Sequence, residues 1–188
     1  MRKELAEVVG GLIAHASLKD TRLTDAETEK LVDAADIVTL ARTAVDYDYK
    51  GDVSVAHAPE MPTRFAKQLT QIIRGGVAIG LPRQQGMQLA LRCARDSIPP
   101  LRWEILLDVA NSRNTKAGDI RKRIKKPWRT VKRQLDALAM LGALVIDHET
   151  ETTTLPDGST KKTVTEVYDL SPDFDRKILA EMGAIRPA

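Results

Sequence analysis

Ten cations lie between residues 113 and 133: Arg113, Lys116, Arg121, Lys122, Arg123, Lys125, Lys126, Arg129, Lys132 and Arg133. One acid, Asp119, accompanies them. The chain as a whole is close to balanced, with 29 Lys and Arg against 26 Asp and Glu and a net charge of +3. An ordinary solvated helix face interleaves Glu with its cations, so this local excess reads as a cationic surface for a polyanion. Nucleic acid is the polyanion that such a stripe fits best.

The other reactive side chains are not arranged for catalysis. His15, His57 and His148 are far apart, and with the one cysteine, Cys93, they give no metal-ligand spacing. A single cysteine also excludes an intrachain disulfide. Ser17, Ser97 and Ser159 lack the strand-turn-helix context of a nucleophile. Asp46, Asp48 and Asp52 lack the spacing and terminal Glu of a calcium loop, and Glu60 is a lone acid before Pro62. Gly75, Gly76 and Gly80 are not followed by the Lys of a phosphate loop, so no nucleotide cradle is expected. No catalytic residue, metal or cofactor is expected, and the chain is not expected to be an enzyme by itself. The N-terminal stretch is too short to span a membrane and has no cleavage pattern, which points to a soluble cytoplasmic protein without membrane partners.

The elements that must position the cations follow from periodicity. Apolar residues are 43% of the chain but aromatics only 4%, a mixture that favours packed helices. Leu5, Val8, Val9, Leu12 and Ile13 predict a helix over 2–17. Thr24 and Glu27 form a capping box that opens a second helix reaching residue 47. Residues 46–62 read as a polar connector with a short alternating stretch at Val53 and Val55. Two further helices begin near Pro62 and Arg83. Pro99 and Pro100 then mark a boundary between units 1–98 and 99–188. Beyond it, three helices are predicted. The first carries Leu101, Ile105, Leu106 and Val109. The second is capped by Thr115 and carries Ala117, Ile120 and Ile124. The third has Pro127 in its first turn and buries Val131, Leu135, Leu138 and Leu141 before Gly142. Two β-prone runs around residues 156–159 predict a hairpin, and a last short helix covers 174–182. The fold class read here is mainly α: an N-terminal helical bundle followed by a winged helix, three helices plus a β-hairpin wing.

The segments TKAGDIR (115–121), PWRTVKRQLDAL (127–138) and LGALV (141–145) resemble the bacterial winged-helix regulators of the MarR and ArsR type over residues 99–172. The features that carry the resemblance are Thr130 and Val131 near the start of the third helix, then Leu135, Leu138 and Gly142. The resemblance implies that this helix enters the major groove of double-stranded DNA and that the wing touches the backbone. On that helix Arg129, Lys132 and Arg133 are expected to point away from the core, Arg towards guanine and Lys towards phosphate. Lys116, Arg121, Lys122, Lys125, Lys126 and Thr130 join them as candidate DNA-binding residues. Trp128 is either a lid on the core or a DNA contact. Lys161 and Lys162 either reach phosphate and the minor groove or sit on a solvated hairpin tip.

Residues 37–81 resemble the helical lid of AAA+ helicases of the minichromosome-maintenance type, through Arg42, Thr63, Arg64, Leu69, Ile72 and Arg74. That resemblance implies a nucleotide-sensing role for Arg64; a plain helix-surface arginine is the other reading. Two functions follow. In one, the chain is the DNA-binding part of a replication or mobile-element ATPase, whose ATPase domain would be a partner. In the other, it is a stand-alone transcription regulator whose N-terminal helices self-associate or sense a ligand.

Overall fold

A computed structural model describes residues 2–154 and 160–184. The fold is mainly helical with small antiparallel sheets. Helix α1 (Arg2–Ala14) ends three residues earlier than its pattern suggested and buries none of its residues. Helix α2 (Asp25–Arg42) opens with the reciprocal cap read from the sequence: the Thr24 hydroxyl accepts the Glu27 N–H at 3.2 Å, and the Glu27 carboxylate accepts the Thr24 N–H at 2.8 Å. Its Leu31, Ala34, Ala35, Val38 and Ala41 are buried. The following segment is more ordered than a connector. Strands β1 (Val45–Tyr47) and β2 (Val53–Ala56) pair antiparallel, with Val45 opposite Ala56. Asp48 ties their turn, because its Oδ1 accepts the N–H groups of Lys50 and Asp52 at 2.9 and 2.8 Å. Helix α3 (Pro62–Ala78) starts on its proline and packs against α2 and α4 (Arg83–Asp96).

Helix α5 (Pro100–Asn111) leads to β3 (Thr115–Lys116), α6 (Ala117–Ile124) and α7 (Trp128–Met140). Thr115 does not cap α6 as expected. It lies in β3 opposite Tyr168, and its hydroxyl donates to the Ser112 carbonyl at 2.9 Å, so Lys116 takes the cap position. Pro127 likewise stands just before α7 rather than within it. Gly142, at φ +78°, closes α7 in the left-handed region, and the Ala143 N–H reaches the Leu138 carbonyl. Strands β4 (Leu144–Thr154) and β5 (Thr160–Leu170) form a long hairpin whose expected turn, 156–159, lies outside the described residues. The sheet order is β3-β5-β4. Helix α8 (Arg176–Ala184) closes the chain against α2, α4 and α5. No helix among the described residues is long and apolar enough to cross a membrane.

Most buried apolar side chains form one cluster running from Leu31, Ile73 and Ala94 through Ile98 to Ile105, Leu138, Tyr168 and Met182, and Val45, Ala137 and Leu141 form a second, small one. The boundary read at 98/99 therefore falls at a helix junction inside a continuous core. A shared core unfolds as one unit. Trimming one methylene by Ile98→Val is expected to cost about 0.5–1.5 kcal/mol. Far-UV circular dichroism and tryptophan fluorescence in urea should show one coincident transition, shifted by that amount. Two separable transitions, only one of them shifted, would mean the halves fold independently.

Candidate nucleic-acid interface

The α6–turn–α7 unit is held from below by its apolar face. Ile120 of α6 and Val131, Leu135 and Leu138 of α7 are fully buried, and Ile124 packs beside them. With these side chains turned inward, helical geometry turns the remainder outward. Between the helices Lys125 adopts φ +54°, a left-handed conformation that swings the chain into Pro127. Arg121, Lys122, Lys125, Lys126, Trp128, Arg129 and Thr130 are all exposed. Trp128 is 50% exposed at the start of α7 and is therefore not a lid on the core. No acid occurs from Ile120 to Leu135.

Several cations of the run meet acids from elsewhere. Arg123 makes two bonds of 2.7 Å to the Asp108 carboxylate, which raise its pKa further. Lys116 pairs with Glu151, and the hydrogen bond that it donates to that carboxylate raises the lysine's pKa. Lys122 lies 3.3 Å from Asp119, and Lys126 lies 3.5 Å from Glu104. These last two pairs are exposed and weak. Arg113, Arg121, Lys125 and Arg129 have no acidic partner among the described residues.

Lys132 and Arg133 depart from expectation: neither points freely to solvent. Lys132 Nζ donates to Asp136 at 2.6 Å, Glu166 at 2.9 Å and the Tyr168 hydroxyl at 2.8 Å. Burial opposes its charge, but the three oxygens outweigh it and hold the ammonium well above its usual range. The same contacts, Lys132 first and then Tyr168, hold Glu166 below the usual carboxylate range, while burial pushes Tyr168 up to about 12. Lys132 thus pins α7 to β5. Arg133 lies over the Tyr47 ring, 5.1 Å from its centroid, and against Gly51. Gly51 has φ +84°, and a Cβ there would run into the guanidinium. Val45, Val53 and Ala56 pack on Ala137 of α7 and on Leu141 just past its end, and Gln134 donates to the Tyr47 hydroxyl at 3.2 Å. The β1–β2 hairpin therefore covers the C-terminal half of α7's outer face, and its turn, Lys50 to Val53, forms a cleft with Trp128 and Arg129 of the exposed N-terminal turn. The sequence signal for this was slight: Val45, Val53 and Ala56 on either side of a Gly-containing turn.

The depressed Glu166 has a pH signature. A carboxylate whose folded pKa is lowered adds stability above its unfolded value, here 4.5, and that stability disappears as the pH falls through the lower folded value. Glu166→Gln removes this contribution. Its Tm should therefore fall less than that of the wild type between neutral pH and the region below pH 4.5. Parallel Tm-against-pH curves for the two proteins would show that Glu166 is not coupled to folding.

The hairpin lysines divide between two faces. Lys162 stands opposite Thr152, on the face that also carries Glu166 and Tyr168, the partners of Lys132. Lys161 stands one residue away, on the face that carries Asp147, Glu149 and Glu151. Both lysines are exposed, but only Lys162 lies on the α7 side.

Arg64 is exposed in the first turn of α3, 3.8 Å from Glu60. Glu60 also pairs with Arg42, which lies 4.4 Å over the Phe65 ring. The acid read as isolated thus braces two arginines. His57 lies 3.1 Å from Asp46, and no group of three or more potential metal ligands occurs among the described residues. Comparison with protein-family models, with curated proteins and with solved structures gave no match.

Proposed function

We propose that the unit from α5 to β5 is a winged helix that binds double-stranded DNA, with the α6–α7 turn and the first turn of α7 as its contact surface. The observation that carries this reading is the acid-free stretch from Ile120 to Leu135, in which Arg121, Lys125 and Arg129 are exposed and have no acidic partner among the described residues. Element order and sheet order support it: three helices, a short strand after the first, and a hairpin whose second strand pairs with that short strand. An α-helix about 10–12 Å across fills a major groove about 12 Å wide. With the β1–β2 hairpin on its flank, α7 can insert only its N-terminal turn. Trp128, Arg129 and Thr130 then meet base edges, while Arg121, Lys125 and Lys126 meet phosphates.

The test is fluorescence anisotropy of labelled duplexes over a salt series. Four to six phosphate contacts should give a log–log salt slope of about −4 to −5. Binding that does not change with salt, or no binding at low salt, would overturn the proposal. Within the hairpin, Lys162→Ala should make that slope shallower by about one phosphate's worth, roughly 0.9. Lys161→Ala should leave it unchanged, because its face carries three acids. Equal effects of the two would mean that the hairpin does not approach DNA from the α7 side.

A further inference from the structure

We infer that α1 is a self-association element, pairing antiparallel with α1 of a second copy of this chain. Leu5, Val8, Val9, Leu12 and Ile13 form one continuous stripe at helical spacing, and all five are between 44 and 66% exposed. No residue of α1 is buried. A lone helix of under about 12–15 residues is marginal in water, and each interior glycine costs about 1 kcal/mol more. With 13 residues and both Gly10 and Gly11 in its C-terminal half, α1 needs a packing partner, and the described residues bury none of it.

Three features select a second copy. The stripe is purely aliphatic and has neither an aromatic anchor nor a polar group to recognise a different partner. Covering it would bury roughly 500 Å² on each copy, about the 1,000 Å² total that a specific interface requires. The helix dipole selects the direction. Arg2, Lys3, Glu4 and Glu7 balance one another in the N-terminal half of α1, and its last turn holds no charged residue. Parallel pairing would set like ends of the two dipoles side by side. Antiparallel pairing puts the N-terminal end of each helix against the carbonyl end of the other. The inference does not depend on DNA binding.

The test measures the mass of the whole chain by light scattering or sedimentation equilibrium at micromolar concentration. Wild type should be dimeric, and Val9→Glu should weaken the dimer by about a hundredfold or more, since two carboxylates would be buried at its centre. At a concentration where both proteins are monomeric the urea transition of the variant should not move, because Val9 lies outside the buried core. A monomeric wild type, or a V9E variant that remains dimeric, would overturn the inference. Direction is read by disulfide cross-linking in a Cys93→Ala background. Leu5→Cys and Ile13→Cys proteins should cross-link when mixed and not when separate. The reverse pattern would overturn the antiparallel arrangement.

Discussion

Replacing Arg121, Lys125 and Arg129 together with Ala is expected to weaken duplex binding by about a hundredfold or more at low salt. The salt slope should become shallower by about 1.8, because Arg121 and Lys125 each neutralise one phosphate while Arg129 meets a base edge. None of the three belongs to the buried cluster, so the urea midpoint should stay near that of the wild type. The three should also differ singly. Arg121→Ala and Lys125→Ala should weaken all duplexes alike. Arg129→Ala, in the first turn of α7, should cost about 1–3 kcal/mol and change base preference where it pairs with a guanine. Lys132→Ala supplies the contrast. Its ammonium is spent on Asp136, Glu166 and Tyr168, so its loss should lower stability and leave the slope almost unchanged. If the triple variant binds as tightly as wild type while the Lys132 variant does not, the contact face lies along the flank of α7 and the reading of its N-terminal turn is wrong.

The contrast between Arg129 and Lys132 also shows how far a linear reading extends. Periodicity located Val131, Leu135 and Leu138, and these are buried as expected. It follows that Lys132 is not on the core face, but not that it is free. Its partners Glu166 and Tyr168 are brought to it by the register of β5, and no local pattern encodes that juxtaposition. Arg133 repeats the lesson from the other side. Its neighbour Tyr47 lies on β1, a strand of three residues with one buried side chain, too little alternation to stand out from a polar connector. The capping box at Thr24 was legible because both halves of that interaction lie within four residues. Helix α1 was legible as a helix, yet its stripe looked like any core-facing stripe, since periodicity records that a face is apolar and not what covers it. The double proline shows the same limit: it does break a helix, but whether the core continues past the break depends on Ile98 and α8.

Arg102→Ala is expected to lower the unfolding free energy by about 3–5 kcal/mol, through the acceptors it leaves unsatisfied. Arg102 lies in the first turn of α5 and is 7% exposed. Its Nη1 donates to the carbonyls of Ala41 and Thr43 at 2.8 and 2.6 Å, and its Nε donates to Gln134 at 2.9 Å. Those two carbonyls belong to the C-terminal end of α2, where helical geometry leaves acceptors without intrahelical donors and where positive charge is favoured. Gln134 in turn donates to the Tyr47 hydroxyl. One guanidinium therefore connects the end of α2 and the start of the β1–β2 hairpin to the middle of α7. Truncation leaves three acceptors unmatched, two of them at buried positions, and a bond from a charged donor is worth about 1.5–3 kcal/mol. Lysine should not rescue the loss fully, because one ammonium cannot reproduce the planar fork. Urea unfolding reads the total. Amide exchange separates the parts: the β1 and β2 amides should lose protection before those of α5 and α7, since the hairpin keeps only Val45, Val53 and Ala56 as apolar anchors. A variant within about 1 kcal/mol of wild type, with hairpin protection intact, would mean that apolar packing alone holds the hairpin on α7.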